Sequence, residues 1–207
     1  MRVTGGRLGG RRLLAAPTGT RPSSDRVRVA LFARLGELDG ARVLDLYAGT
    51  GTLGIEAISR GAREVVFNEQ APRSLAVLRA NLAALGVAMS ARILAGDAVR
   101  AVQGLGREAV PFDLVLLDPP YAAGEVGRAL EALVAARVLA PEAVVVVESG
   151  RRHPVPAVAG LAPLDERRYG DTLITQFVVA RPDERAGSVT TPGGAIDSAA
   201  QGGRRSG

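Results

Sequence analysis

The chain has 207 residues, of which 47% are hydrophobic and 23% charged, and this composition fits one water-soluble domain with a sizeable core. It has no cysteine, which excludes disulfides and thiolate zinc sites, and its single histidine, His153, leaves little scope for histidine-based metal binding or a catalytic triad. No apolar run is long enough to span a bilayer and no signal-peptide pattern opens the chain. We therefore expect a cytoplasmic protein with no membrane contact and no metal.

The net charge of +5 is unevenly distributed along the chain. Residues 1–34 hold eight arginines and one acid, whereas residues 35–180 hold 14 arginines and 17 acids. A basic segment ahead of a mildly acidic body is the pattern expected of an arm that contacts nucleic acid. Within that arm, Arg7, Arg11 and Arg12 are candidate phosphate contacts, which would make binding salt-dependent without specifying a sequence.

The predicted elements begin with a short hairpin or extended arm over residues 2–16. A helix from Asp25 to about Leu35 follows the capping residues Ser23 and Ser24. Apolar runs then alternate with helical patterns. Strands are predicted at 41–46, 64–67, 91–94, 112–117, 143–148, 161–165 and 172–180. Helices are predicted from the glycine loop after the first of these strands to about residue 60, at 71–85, after 97 and at 124–139.

Continuous apolar strands separated by helices indicate a parallel sheet covered on both faces. The last two strands have no helix between them, which predicts an antiparallel hairpin at one edge. The expected fold is thus α/β and Rossmann-like, with a mostly parallel seven-stranded sheet. Residues 1–35 form its basic arm and first helix, 36–180 the main domain, and 181–207, rich in small and polar residues, a disordered tail.

A glycine-rich turn follows the first strand of the main domain. Ala48, Gly49 and Gly51 lie between that strand and a helix, where backbone can approach a ligand closely and helix amides are free. Glu69 ends the second strand, and its carboxylate can accept both hydroxyl hydrogens of a ribose. These features fit NAD and S-adenosylmethionine almost equally.

Asp45 favours S-adenosylmethionine over NAD. A carboxylate beside the glycine turn suits a sulfonium and an ammonium group, whereas it would repel the pyrophosphate of NAD. Asp97, at the end of the third strand, can accept a hydrogen bond from an adenine amino group, with Ala98 next to it. A helix N-cap is an equally good interpretation of Asp97, and the two roles can coexist.

The segment Asp118-Pro119-Pro120-Tyr121 follows the fourth strand, at the edge where open α/β sheets bind ligands. An exocyclic amine on a base is a poor nucleophile because its lone pair is delocalised into the ring. The Asp118 carboxylate and the Pro119 carbonyl can accept its two hydrogens and aim the lone pair at a methyl group. Proline rigidity fixes that carbonyl, and Tyr121 offers a face for stacking on the base. This pattern predicts amine methylation by an in-line displacement.

The order of the strand-end aspartate, the glycine turn, the acidic residue and the Asp-Pro-Pro-Tyr segment resembles that of class I amino-methyltransferases. More narrowly, the chain resembles the bacterial RsmD family. That resemblance covers about residues 1–180 and is carried by Arg7-Leu-Gly-Gly-Arg-Arg-Leu13, Thr20-Arg-Pro-Ser-Ser-Asp-Arg-Val-Arg28, Ala30-Leu-Phe32 and Arg168-Tyr-Gly-Asp-Thr172.

The RsmD family methylates N2 of one guanine in 16S ribosomal RNA. The resemblance therefore implies S-adenosylmethionine as cofactor and 16S ribosomal RNA or a small-subunit particle as partner, and we expect a monomer. It also implies that the segment from Arg21 to Asp25 lies near the cofactor and the target base. Tyr169 is a candidate for stacking on RNA and equally a candidate packing residue. Two alternatives remain, an adenine-N6 methyltransferase acting on DNA or RNA and a non-catalytic RNA assembly factor, and the intact Asp118 argues against the second.

Overall fold

The computed structural model describes residues 1–15, 25–119 and 124–180, and its centre is one seven-stranded sheet. The strand order is β3-β2-β1-β4-β5-β7-β6, in which β1 to β5 are parallel and β7 runs antiparallel to both of its neighbours. This arrangement confirms the predicted fold class. The elements are α1 (Asp25–Leu35), β1 (Arg42–Leu46), α2 (Thr52–Ser59), β2 (Glu64–Glu69), α3 (Pro72–Leu85), β3 (Ala91–Ala95), α4 (Ala98–Gly106), β4 (Phe112–Leu117), α5 (Glu125–Ala135), β5 (Leu139–Gly150), β6 (Leu161–Tyr169) and β7 (Thr172–Val179).

Helices cover both faces of the sheet and bury two hydrophobic clusters. The first cluster joins the sheet to α1, α2 and α3, and the second joins it to α4 and α5. The central strand β1 is buried along its whole length, as expected for a strand covered on both sides. Burial of this kind fixes the register of the strands and therefore the position of every residue at their carboxyl ends.

The boundary between α5 and β5 differs from the prediction. The apolar pattern predicted a helix to residue 139 and a strand from 143, but α5 ends at Ala135 and β5 begins at Leu139. Arg137 has a left-handed backbone (φ 53°), which terminates the helix. Pro141 then disfavours helical backbone at the residue before it, so the apolar residues that extended the helical pattern belong to the strand.

β6 is also longer than predicted. It continues past residue 165 to Tyr169 and pairs with β7 as far as Thr172, across the turn Gly170-Asp171. Its second half is charged because β6 is the edge strand of the sheet, where side chains face water. Because residues 166–169 lack an apolar run, the sequence pattern did not predict this half of the strand.

The described part of the arm, residues 1–15, lies on the helices of the first cluster. Arg2 and Arg12 form an isolated antiparallel bridge, and a 3₁₀ turn over Gly6–Leu8 reverses the chain, so the predicted hairpin is confirmed in a short form. Val3, Leu8 and Leu13 are buried in the same cluster as α2 and α3. The division of the chain at residue 35 stays a prediction, and the described arm shares the core of the main domain.

None of the helices in the described ranges is long and apolar enough to cross a membrane. The tail predicted at 181–207 lies outside those ranges.

Candidate active site

The glycine turn connects β1 to α2, and its two predicted glycines do different things. Gly49 has a left-handed backbone (φ 56°), and no described atom lies within 4 Å of the place where a Cβ would be. Gly51 also has a positive φ (86°), but a Cβ there would lie 2.3 Å from the Leu78 side chain. Gly49 therefore presents open backbone to a ligand, whereas Gly51 lets the turn pack against α3.

Glu69, at the end of β2, holds the turn in place. One carboxylate oxygen accepts a hydrogen bond from the Gly49 N–H at 2.8 Å, and the other accepts from the Ala71 N–H at 2.6 Å. Each oxygen keeps a second lone pair. The predicted ribose contact stays a prediction, and the structure adds a role in fixing the backbone around the site.

Asp45 lies beneath the turn and is 1% exposed. Its carboxylate accepts a hydrogen bond from the Gly54 N–H at 2.8 Å, which fixes the start of α2. Burial above all, with the nearby carboxylates of Asp118 and Glu69, raises the pKa of Asp45 to about 8, although the hydrogen bond from Gly54 acts to lower it. The fold thus brings acidic residues from β1, β2 and β4 close enough for their charges to interact.

Asp97 and Ala98 lie at the start of α4, after β3. Asp97 is exposed and caps the helix by accepting from the Arg100 N–H at 2.9 Å, so the capping interpretation is confirmed. Ala98 is buried in the second hydrophobic cluster, and Ala48, in the glycine turn, is 8% exposed. The predicted cofactor contacts of these residues stay predictions.

Asp118 and Pro119 follow β4, whose last residue Leu117 pairs with Leu46 of β1. The pairing places Asp118 beside the residues that enter the glycine turn. Asp118 is partly exposed and Pro119 is buried. Pro120 and Tyr121, the other half of the predicted catalytic segment, lie outside the described residues.

Tyr47 is a residue at this edge that the sequence interpretation did not include. It follows β1 directly and has a left-handed backbone (φ 61°), which is rare for an aromatic residue and frequent at functional sites. Burial, followed by the charges of Glu125 and Asp97, raises the pKa of its hydroxyl to about 12, so it stays a neutral donor. No sequence pattern marks such a backbone.

Asn81, on α3, was also missed, and it connects the arm to the glycine turn. Its side-chain oxygen accepts from the Leu14 N–H at 2.8 Å, and its nitrogen donates to the carbonyls of Leu14 at 3.2 Å and Thr50 at 3.0 Å. The side chain is 1% exposed, so these bonds satisfy a buried amide. An Asn within an otherwise apolar helix face was the available signal.

Three of the arginines predicted to contact RNA, Arg7, Arg11 and Arg12, are described and exposed, but they do not all lie at the carboxyl edge of the sheet. Arg7 precedes Leu8, whose N–H donates to the Ser59 side chain at 2.9 Å, about one helix length (roughly 12 Å) from the glycine turn. Arg11 donates to the Ala84 carbonyl at 3.3 Å, near the end of α3, and Arg12 is exposed. Arg21 lies outside the described residues.

Tyr169 ends β6 and is half-buried against the first hydrophobic cluster. This confirms the packing interpretation of Tyr169, and stacking on RNA stays a prediction.

Among the described residues, no group of three or more carboxylate or histidine side chains is placed to hold a metal ion.

The fold and the site together define a class of protein. Open backbone at Gly49, carboxylates at the ends of β1 and β2, and Asp118-Pro119 after β4 form one edge of a mostly parallel sheet. Solved structures with this fold include S-adenosylmethionine-dependent methyltransferases. The chain has the fold of this class of methyltransferases.

Comparisons identify the family within that class. The family model described as "Conserved hypothetical protein 95" matches residues 1–178, and the chain belongs to this family, the RsmD family. It is 34% identical to YlbH of Bacillus subtilis over 86% of this chain and 98% of that protein. It is 35% identical to ribosomal RNA small subunit methyltransferase D of Escherichia coli over 76% of this chain and 79% of that protein. The solved structure of Escherichia coli YhhF matches with a TM-score of 0.76 and 33% identity, over 86% of this chain and 97% of that one.

Proposed function

We propose that the protein transfers a methyl group from S-adenosylmethionine to the exocyclic N2 amine of a guanine in 16S ribosomal RNA. The observation that carries the proposal is the position of Asp118 and Pro119, which follow β4 next to the glycine turn of β1. The Asp118 carboxylate and the Pro119 carbonyl are therefore two acceptors near the glycine turn, where we expect the cofactor to bind. We call the carboxyl ends of β1, β2 and β3 the cofactor edge. The name of the Escherichia coli relative, a small-subunit ribosomal RNA methyltransferase, supports RNA as the substrate.

The cofactor fits the residues that are present. The open backbone at Gly49 allows close approach, and Asp45 lies buried beneath the turn, where a cationic ligand would favour its ionised form. Glu69 is held by two backbone N–H groups and has lone pairs left for hydroxyl groups. The bound cofactor supplies an electrophilic methyl group on a sulfonium. The chain itself has to orient the amine and exclude water.

Asp118 and Pro119 would orient the amine. The Asp118 carboxylate and the Pro119 carbonyl each accept one N–H hydrogen, which localises the lone pair on nitrogen and directs it toward the cofactor edge. As nitrogen gains positive charge, the carboxylate stabilises it. The amine then becomes acidic enough to release a proton to Asp118 or to water, so no strong base is required beforehand.

An adenine-N6 amine could be held by the same two acceptors, so the catalytic segment does not choose between the bases. Guanine is favoured by the family membership and by the basic arm, whose motifs resemble those of that family. A non-catalytic assembly factor would not require a carboxylate at residue 118.

The test uses the full chain with labelled S-adenosylmethionine and unmodified 16S ribosomal RNA or small-subunit particles. We expect transfer of the label and recovery of N2-methylguanosine after digestion. Recovery of N6-methyladenosine would overturn the substrate. Cofactor binding without any transfer to either RNA form would favour the assembly factor. Nucleoside analysis of ribosomal RNA from a deletion strain identifies the natural product as the methylated nucleoside that is missing there and is restored by the wild-type gene but not by the Asp118→Asn gene.

A further inference from the structure

The hairpin of β6 and β7 and the end of β5 extend beyond the level of Asp118. Leu117 of β4 pairs with Val147, and β5 then continues to Gly150, which pairs with Thr172 beside the hairpin turn. Asp118 is therefore level with Glu148, and the further strand up to Gly150 corresponds to about 7 Å. This extension, which we call the basic tip and define by Arg151, Arg152 and Arg168, therefore rises past the catalytic edge.

The backbone of the basic tip is held by hydrogen bonds. The Arg151 N–H donates to the Asp171 carbonyl at 2.9 Å, and the Arg168 side chain donates to the Gly170 carbonyl at 2.9 Å. The His153 N–H donates to the Gly150 carbonyl at 2.8 Å and folds the segment after β5 back on itself. The arginines thus project from an ordered platform, which lowers the entropy cost of binding.

The charges of the basic tip differ from those of the arginines nearby. Arg167 and Arg34 both pair with Asp165, at 3.3 Å and 2.7 Å, and their charge is partly neutralised. Arg151, Arg152 and Arg168 are exposed, and the described part of the chain shows no ion pair for them. Asp171, on the turn, offsets one of these three charges, which leaves an excess of positive charge.

We propose that the basic tip binds the RNA phosphates on one side of the target nucleotide. The strand order places Asp118 between the cofactor edge (β1, β2 and β3) and the basic tip. A base that reaches Asp118 must therefore leave its flanking backbone outside the sheet edge, and the side opposite the cofactor is the one that carries the arginines. Exposed guanidinium groups on a fixed backbone suit phosphate oxygens. The inference rests on the proposed function, because it requires RNA as the substrate.

The test compares two double variants with the same loss of charge. Arg151→Gln with Arg152→Gln removes the tip cations, and Arg63→Gln with Arg107→Gln removes two exposed arginines at the opposite, amino edge of the strands. Binding of each to a 16S ribosomal RNA transcript and to small-subunit particles is measured from 50 to 300 mM salt, with S-adenosylhomocysteine present. S-adenosylhomocysteine affinity is measured as well.

We expect the tip variant to bind both RNA forms about tenfold or more weakly at low salt, with a salt slope reduced by about 1.4 for two lost contacts to single-stranded RNA. The control variant should match the wild type, and S-adenosylhomocysteine affinity should stay unchanged in both. Equal salt slopes for the two variants would overturn the proposal. Loss of binding to particles alone would instead indicate an acidic ribosomal protein as the partner.

These results separate the inference from the proposed function. If the wild-type protein methylates the RNA and the tip variant binds RNA like the control, the proposed function is supported and the role of the basic tip is overturned. If the wild-type protein neither binds nor methylates the RNA, both the proposed function and the role of the basic tip are overturned.

Discussion

The two halves of the carboxyl edge are built by different physical means. On the side of β1 and β2, Asp45 and Glu69 are almost completely buried, and three backbone N–H groups fix their carboxylates. On the side of β5, β6 and β7, the charges are exposed arginines on a hydrogen-bonded backbone. A small cofactor of fixed shape can be held by preorganised buried groups, whereas a long polyanion is held by distributed exposed charge. We therefore expect pH to affect the side of β1 and β2, through the carboxyl groups. We expect salt to affect RNA binding on the side of β5, β6 and β7.

The largest expected effect is the loss of methyl transfer when Asp118 is substituted. Asp118 lies between the two halves of the carboxyl edge. Asp118→Asn keeps the size of the side chain but removes the charge that stabilises the developing cation. We expect methyl transfer in a single turnover to fall by about 10³-fold, while S-adenosylhomocysteine affinity in calorimetry changes little. Asp113→Asn, the same substitution at the other end of β4, is the matched control and should leave transfer intact. If calorimetry instead shows that cofactor binding falls as much as transfer, Asp118 belongs to the cofactor half.

Glu69→Gln should weaken the cofactor half alone. A glutamine amide can accept only one of the two hydrogen bonds from Gly49 and Ala71, and its NH₂ group then faces the other N–H. Lost or mismatched bonds of this kind cost about 1–3 kcal/mol, so S-adenosylhomocysteine should bind roughly 5- to 140-fold more weakly. Titration calorimetry measures the change, and Glu64→Gln at the start of the same strand is the control. Unchanged affinity would show that the turn is held without Glu69.

These predictions depend on contacts that the sequence indicated to different degrees. The parallel strands and the glycine turn were predictable because apolar runs and glycine spacing are local properties of the sequence. The second half of β6 was not, because an edge strand tolerates charged residues. Nor were the left-handed Tyr47 or the Asn81 bridge, since both arise from packing between distant segments. In the basic tip, Arg151 and Arg152 are adjacent in the sequence, but Arg168 lies well downstream, and only the fold brings it to the same end of the sheet.

A smaller effect should appear in the pH dependence of stability, through Asp45. Its pKa is about 8 in the folded protein against an ordinary aspartate pKa of 3.8, so the folded state binds the proton more tightly. The stabilisation from this group is full below about pH 4 and is lost as pH rises through 8, at no more than about 1.4 kcal/mol per pH unit. Urea unfolding of the cofactor-free protein should show this decline.

Asp45→Asn removes the titrating group while keeping an acceptor for the Gly54 N–H, so its unfolding free energy should fall less over the same pH range. Parallel profiles for the variant and the wild type would contradict the pKa of Asp45. Saturating S-adenosylhomocysteine should flatten the wild-type profile, because an ammonium group near the turn favours the ionised carboxylate.

The smallest expected effect is the loss of RNA affinity when arginines of the arm are substituted. It compares the arm directly with the basic tip as a surface that binds RNA. Arg11→Gln with Arg12→Gln removes two exposed cations, but the Arg11 side chain already donates to the Ala84 carbonyl and lies toward the end of α3. We expect RNA affinity to fall about two- to fivefold, with a salt slope reduced by less than the roughly 1.4 of two full contacts to single-stranded RNA. The salt series used for the basic tip measures this loss. A larger loss from the arm than from the tip would mean that RNA approaches over α2 and α3. The cofactor half, to which Asn81 ties the arm, would then also carry most of the charge that binds RNA.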